Sequence, residues 1–264
     1  MSLFFVSMLA ATVVGCPGDG LCESATDGPA VSQPVSPSDI NIGPALAVVP
    51  RYPGSRVERV WPFPAMNMSY GHLFATTDKG IGMYVVNNDP WQVGVSFAPH
   101  FGRHHDDGVR VSRLDEIGAA VGARVSAGYR FGPFTFSAAV IRDLGGSNGL
   151  TFDTGFAWRW QLSSRLLASL GANATAGNRR YLQTWFGVTP AEAAVSGLAQ
   201  YSVRSGIQSA GPNLFVNYAL SATWSLQAYL SDQRLLHQVA NSPMVERRRL
   251  PTMFLGAIRH FGPR

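Results

Sequence analysis

Hydrophobic and polar residues alternate along most of the chain from about residue 41 onward. In the clearest run, Val121, Ala123, Val125, Ala127 and Tyr129 are separated by small or polar residues. On a β-strand, successive side chains point to opposite faces, so this period of two predicts an all-β protein. Similar runs occupy residues 91–97, 134–140, 152–162, 166–174, 214–220 and 224–230.

Several of these runs extend to about ten residues, the length of a tilted strand that crosses a bilayer. Strands of soluble sandwiches are usually shorter, at about 5 to 6 residues. Aromatic residues also gather near the ends of the runs, where membrane barrels carry interfacial girdles. These aromatic residues are Trp91, Tyr129, Phe131, Trp160 and Trp224. The pattern favours an antiparallel transmembrane β-barrel, with a soluble barrel of lipocalin type as the alternative.

Short and long connections alternate between the runs, as in outer-membrane barrels with short periplasmic turns and long exterior loops. The short ones lie at residues 87–90, 131–133, 163–165 and 221–223, and the long ones at 100–118, 143–149, 175–211 and 231–251. Earlier strands near residues 42–49, 60–70, 73–77 and 80–86 bring the predicted number to about twelve, with ten possible. An even number places both ends of the barrel in the periplasm.

Proline limits where the first strands can pair. Pro44, Pro62 and Pro64 lie within them and cannot donate a ladder hydrogen bond, so they fit only edges or bulges. A different signal appears in the loop of residues 175–211, where Thr189, Pro190 and Glu192 form the start of a helix with a capping box. We therefore expect a short helix in this loop, ending before Gly197.

Composition narrows the class further. Only 14% of the residues are charged, against about 25% in an ordinary soluble domain. No apolar run reaches the roughly 18 residues of a transmembrane helix, which excludes a helical membrane protein. The net charge is +5, but the arginines are scattered apart from Arg247, Arg248 and Arg249, so we expect no nucleic-acid partner.

The first 39 residues differ from the rest. Residues 1–15 have the apolar stretch of an export signal, and residues 16–39 form a linker rich in Pro, Ser and Gly, ahead of a barrel over residues 40–264. Val13, Val14 and Gly15 before Cys16 are similar to a lipobox, which makes Cys16 a candidate lipidation site. Ordinary cleavage before Asp39 and a Cys16–Cys22 disulfide are the alternatives.

Several short segments carry a pattern that strand alternation does not generate. They are residues 49–55 (VPRYPGS), 101–103 (FGR) followed by two aspartates, 181–188 (YLQTWFGV), 193–201 and 241–245 (NSPMV). In these segments the region from about residue 41 to 261 resembles the MipA/OmpV family of outer-membrane proteins. The residues that define the most distinctive segment are Tyr181, Phe186, Gly187, Val188, Ser196, Gly197 and Tyr201.

This resemblance implies a barrel of the Gram-negative outer membrane that is not an enzyme and needs no cofactor. It further implies a scaffold that links a murein lytic transglycosylase to a bifunctional penicillin-binding protein during peptidoglycan synthesis. A pore for small solutes is the second hypothesis, and a lipid-modifying enzyme is the third. The third requires a Ser–His pair oriented by an Asn or an acid, and no sequence signature identifies such a pair.

Two groups of polar residues have both a chemical and a structural interpretation. His104, His105, Asp106 and Asp107 include metal-ligand types, but neighbouring residues on a loop rarely converge on one ion, so a charged surface loop is favoured. The sequence Gly145–Gly149 is interpreted as a hairpin turn and not as a phosphate-binding loop, because no helix follows it. We therefore expect no metal site.

The remaining arginines concern the barrel lumen and the exterior loops. Arg124, Arg130 and Arg159, with Asp153, fall on the face predicted to line the lumen. There they either select anions in a pore or pair with acids and fill the interior. The cluster at residues 247–249 lies in a predicted exterior loop, so outer-membrane lipid and lipopolysaccharide are expected partners, with a merely solvated loop as the default.

Overall fold

The computed structural model describes residues 39–261 as a closed antiparallel barrel of twelve strands. Each strand pairs with its neighbours in sequence, and β1 pairs with β12 to close the barrel. The predicted signal, linker and Cys16, and residues 262–264, lie outside the described residues. The strands are β1 (Asp39–Pro50), β2 (Glu58–Tyr70), β3 (Leu73–Thr76), β4 (Gly80–Asn88), β5 (Trp91–His100), β6 (Ala120–Phe131), β7 (Phe134–Gly145), β8 (Leu150–Gln161), β9 (Leu166–Gly177), β10 (Gly206–Ala219), β11 (Trp224–Leu235) and β12 (Arg249–Phe261).

The predicted alternation of faces is confirmed by the strand register. Val125 points outward and is 56% exposed, while its neighbours Arg124 and Ser126 line the lumenal cavity. The outward face is apolar over most strands, as a surface that contacts lipid must be. In the part of the chain that the structure describes, neither α-helix is long and apolar enough to cross a membrane.

One edge of the barrel carries only tight turns, at residues 71–72, 89–90, 132–133, 162–165 and 220–223. We call it the turn edge, and the opposite edge the loop edge. Aromatic rings concentrate at the turn edge, where Trp91 lies 4.7 Å from Tyr129 and Trp158 lies 4.3 Å from Trp160, measured between ring centroids. The first residue of β1, Asp39, and the last residue of β12, Phe261, lie at this edge too.

The loop edge differs from the prediction in two places. The connection expected to be long at residues 143–149 is a tight turn, because β7 continues to Gly145 and β8 begins at Leu150. Left-handed φ angles at Gly145, Gly146 and Asn148 make that turn possible. The loop between β9 and β10 holds the predicted helix, now α2 (Pro190–Ser196), and an additional helix, α1 (Arg179–Phe186). Short 3₁₀ turns lie at residues 105–107 and 239–241.

The lumen is filled unevenly. On the side of β1, β2 and β9–β12, inward apolar side chains pack into a buried cluster. It contains Ala45, Ala65, Leu167, Phe215, Tyr229, Phe254 and Ile258, with Phe63 against it. On the side of β5–β9 the inward residues are mostly small or polar, and they leave a cavity of about 200 Å³. Most of the residues that line this cavity belong to β5–β9.

Candidate functional site

Three long loops fold together over the lumen at the loop edge and form a body that we call the plug, made of residues 101–119, 178–205 and 236–248. Its centre is one buried apolar cluster: Ile117, Tyr181, Leu182, Trp185, Phe186, Val203, Leu235 and Val239. A second cluster joins the plug to the β1–β2 loop through Tyr52, Val111, Leu114, Val188 and Met244. Burial of this kind stabilises the loops as it does any domain core.

The two helices of the plug begin with side-chain caps. Asn178 accepts a hydrogen bond from the Tyr181 N–H at 2.9 Å, which starts α1. Thr189 and Glu192 form the predicted capping box of α2, with distances of 3.2 Å and 2.8 Å. The other carboxylate oxygen of Glu192 accepts from the Asp115 N–H at 3.0 Å, so the cap also ties two loops together. These caps satisfy the helix donors that would otherwise lack partners.

The residues of the distinctive family segment all lie in the plug. Tyr181, Phe186 and Val188 are buried in its two clusters. Val188 and Tyr201 exchange backbone hydrogen bonds at 2.9 Å, and the Tyr201 hydroxyl donates to the Gln238 carbonyl at 2.7 Å. Gly187 follows α1 where a Cβ would meet Gln183 at 2.0 Å. The segment therefore encodes a packed structure.

The end of α2 explains the two remaining residues of that segment. Gly197 adopts φ +74° as the left-handed C-cap, a conformation that other residues rarely adopt. Ser196 precedes it, and its hydroxyl accepts a hydrogen bond from the Leu198 N–H at 3.2 Å. Both residues thus terminate the helix and turn the chain back toward Tyr201.

Arg103 holds the loops of the plug together. Its side chain is fully enclosed, with 2% of the residue exposed. The guanidinium donates to the Trp185 carbonyl at 3.2 Å and the Asp115 carbonyl at 3.0 Å, and approaches the sulfur of Met244 at 3.6 Å. Burial lowers the pKa of Arg103, and the carboxylate of Glu192 opposes that shift. One charged side chain therefore contacts all three loops.

The β1–β2 loop is fastened to the plug through Tyr52. Its hydroxyl donates to the Met244 carbonyl at 3.3 Å and to Glu246 Oε1 at 3.1 Å. Burial, followed by the charge of Glu246, raises the pKa of Tyr52 well above its ordinary value. The Gly54 carbonyl also accepts the N–H groups of Glu246 and Arg247 at 2.8 and 2.9 Å. The family segments of residues 49–55 and 241–245 are therefore in contact with each other.

The His–Asp segment after β5 is part of the same structure. Asp107 pairs with Arg59 at 3.1 Å and accepts from the His104 N–H at 2.8 Å. His104 and His105 lie 3.5 and 3.7 Å from Glu116. The His105 N–H, then the charges of His105 and His104, lower the pKa of Glu116. Among residues 39–261, no three His, Cys, Asp or Glu side chains are arranged to hold a metal ion.

The basic cluster of residues 247–249 makes its contacts within the protein. Arg247 pairs with Glu58 at 2.9 Å, Arg248 donates to the Asn241 side chain at 2.9 Å, and Arg249 pairs with Asp232. These contacts give each arginine a structural role at the loop edge.

The lumenal cavity below the plug is lined by charged and polar side chains as well as apolar ones. Arg124, Arg130, Asp153 and Arg159 line it, as the alternation predicts. Asp153 accepts a hydrogen bond from Thr175 at 2.8 Å. Asp143, which the sequence did not single out, lies between His100 at 2.7 Å and the Ser147 hydroxyl. The cavity therefore presents charges of both signs.

Ser225, His260 and Asn41 form a hydrogen-bonded row near the turn edge, with Ser225 Oγ 2.9 Å from His260 Nε2 and His260 Nδ1 2.6 Å from Asn41 Oδ1. This is the order of nucleophile, base and orienting group in acyl-transfer enzymes. Ser225 is only 1% exposed, so its hydroxyl has no open space for a substrate carbonyl. The row joins β11, β12 and β1, and it fastens the seam where the barrel closes.

Comparisons with known proteins identify one family and several solved structures of low sequence identity. A family model described as MltA-interacting protein MipA matches residues 42–261. The NanC porin is 10% identical, with 83% of this chain and 97% of that chain covered and a TM-score of 0.39. The COG4313 outer membrane channel from Pseudomonas putida F1 is 13% identical, with 90% and 100% covered and a TM-score of 0.38. No curated protein sequence matches closely enough to count as a relative.

The role of Arg103 can be tested by replacement. In an Arg103→Ala variant, two carbonyl oxygens inside the plug lose a charged donor, at a cost of about 1–3 kcal/mol each. We expect the plug loops to be cleaved faster by protease added to vesicles, while the barrel keeps its heat-modifiable mobility in gels. Arg113→Ala is the matched control, because Arg113 donates to the Val195 carbonyl from an exposed position. Equal cleavage rates in the two variants would contradict the role given to Arg103.

Proposed function

Because the chain belongs to the MipA family, we propose that it is a non-enzymatic scaffold of the Gram-negative outer membrane. In this role it holds a murein lytic transglycosylase beside a bifunctional penicillin-binding protein while peptidoglycan is built. The family's description, MltA-interacting protein, names the first partner, a lytic transglycosylase. The second partner comes from the family resemblance of the sequence.

The plug is the observation that supports a scaffold most directly. Apolar side chains are buried throughout the loop-edge mouth, and the fully enclosed Arg103 fixes the loops around them. Such packing suits a barrel that serves as a membrane anchor better than one that passes solutes freely. The seam row of Ser225, His260 and Asn41 likewise fits a structural role better than hydrolysis.

Partners in the periplasm would meet the turn edge. Outer-membrane barrels place their short turns in the periplasm, where peptidoglycan enzymes act. The exposed residues of this edge include Ser164, Arg165 and Ala222. Strand β1 also starts at this edge, at Asp39, and the expected export signal, linker and Cys16 precede it in the sequence. Acylation of Cys16 would add a second membrane anchor there.

Site-specific photo-cross-linking tests the proposal. A photoreactive residue at Ser164 or Ala222 should capture the transglycosylase or the penicillin-binding protein in the native envelope, identified by mass spectrometry. The matched controls carry the same residue at Val109 or Val195, which are exposed on the plug. The proposal predicts capture from the turn edge and none from the plug. Failure of both turn positions, or equal capture by an unrelated barrel, would refute it.

A small-solute pore is the second candidate, because Arg124, Arg130 and Arg159 line the lumenal cavity. Single-channel recording separates the two functions. The scaffold hypothesis predicts that the intact barrel shows no steady conductance in planar bilayers, because the plug fills the lumen at its loop edge. A variant in which residues 179–203 are replaced by a short Gly-Ser linker is the comparison. Steady conductance of the intact protein, equal to that of the variant, would favour the pore.

A further inference from the structure

The barrel wall is incomplete on its loop-edge side between β2 and β5. Strand β3 ends at Thr76, opposite Asn67 of β2. From Asn67, β2 extends nine residues further toward the loop edge, to its first residue Glu58. Strand β4 begins only at Gly80, and β5 continues beyond Phe97, the partner of Ile81, to His100. Among the strands of residues 39–261, none therefore lies between residues 58–65 of β2 and residues 98–100 of β5. We call this space, with the turn of residues 77–79 as its floor, the wall gap.

Two prolines occupy the β2 side of the wall gap. The Thr77 N–H donates to the Met66 carbonyl at 2.9 Å, and the Met66 N–H donates to Thr77 Oγ1 at 2.8 Å. In antiparallel strands, the backbone hydrogen-bonding groups alternate between the two neighbouring strands. The N–H and C=O groups of the even-numbered residues of β2 therefore point toward the gap. Pro62 and Pro64 are two of these residues, and neither has an N–H to leave unpaired.

The β5 side of the wall gap also has a proline at a position whose N–H would point into the gap. The Arg130 N–H donates to the Pro90 carbonyl at 2.9 Å, so even-numbered residues from there into β5 bond to β6. The backbone groups of the odd-numbered residues of β5 point toward β4 and, where β4 is missing, toward the gap. Pro99 is the odd-numbered residue next to the gap. Three prolines thus remove three donors that would be unpaired in hydrocarbon, where each unpaired group is costly. They also prevent an added strand from pairing at those positions.

Apolar groups surround the wall gap on both sides. On the lipid-facing side, Leu46, Val60 and Phe97 are 50%, 64% and 57% exposed. Behind the gap, the inward rings of Trp61 and Phe101 meet edge to face at a centroid distance of 5.6 Å. The lumenal cavity reaches this region, because Ala98, Phe101 and the turn residue Lys79 are among its lining residues. Between these apolar side chains, an opening therefore leads from the bilayer toward the lumen, with the polar turn of residues 77–79 as its floor.

We propose that the wall gap is a lateral portal that takes up one acyl chain of a membrane lipid. The chain enters between Pro64 and Pro99 and contacts Trp61 and Phe101, while its head group stays at the membrane surface. A hydrocarbon chain suits this opening because it needs no hydrogen-bond partner, and the prolines supply none from their nitrogen atoms. A protein strand is disfavoured as the occupant for the same reason.

Quenching of Trp61 fluorescence by brominated lipid tests the portal. One variant keeps Trp61 and has the other five tryptophans replaced by Phe, and it is placed in phosphatidylcholine vesicles with brominated acyl chains. The matched control lacks all native tryptophans and carries Phe254→Trp, an inward position behind fully paired strands in the same aromatic region. We expect bromine to quench Trp61 about twofold or more over the control, since intact walls exclude lipid. Heat-modifiable mobility shows that each variant is folded.

A third variant separates lipid inside the portal from lipid outside the wall. Ala98→Phe, added to the Trp61 variant, fills the cavity side of the gap and should bring the quenching down toward the control. Quenching of Trp61 no greater than that of the control would overturn the proposal, because no chain then reaches the ring. Strong quenching that Ala98→Phe leaves unchanged would overturn it too, since the bromine then lies outside the wall.

Discussion

Hydrocarbon offers no hydrogen bonds, so every backbone N–H and C=O within the membrane needs a partner in the protein. This constraint accounts for the closed ladder, in which β1 pairs with β12. It accounts also for the three prolines at the wall gap. Where strands β3 and β4 fall short, the sequence removes donors that would have had no partner.

A different constraint applies to the loops of the plug. They lie beyond the ends of the strands, so their own side chains must stabilise one conformation. They do so with apolar clusters, helix caps and one buried cation. Arg103 can be enclosed because the carbonyl oxygens of Asp115 in its own loop and of Trp185 in a neighbouring loop accept its hydrogen bonds, and because Glu192 contributes a nearby negative charge. The plug is thus a small domain core built from loops, and the family segments lie in it because they form it.

Much of the barrel could be predicted from the sequence, because side-chain alternation is imposed separately on every strand. The helix α2 was predictable for a similar reason, since its cap residues are adjacent in sequence. The helix α1 was missed because its N-cap is an asparagine that follows a strand directly, with no proline or acidic residue to mark it. The alternation of short and long connections predicts a long loop at residues 143–149, but the glycines of that segment indicate a hairpin turn, and the structure has a tight turn at residues 146–149.

The contacts of the candidate site could not be predicted from the sequence. Arg103 bonds to residues 12 and 82 positions away, and Tyr52 to residues more than 190 positions away, so no local pattern reveals them. The wall gap depends on where two strands end relative to their neighbours. Pro62 and Pro64 were recognised as edge residues, but only the strand register showed which edge they protect.

Amide hydrogen exchange of the barrel in lipid vesicles tests most directly the claim that the loops form a packed plug. The structure predicts that the amides of Leu182 and Phe186 in α1 exchange slowly, at rates near those of the strand amides, because their helix is buried in the plug. Ser164, in an exposed turn, gives the rate of an unprotected segment. Exchange of the α1 amides as fast as that of Ser164 would contradict the account, since the loops would then be open.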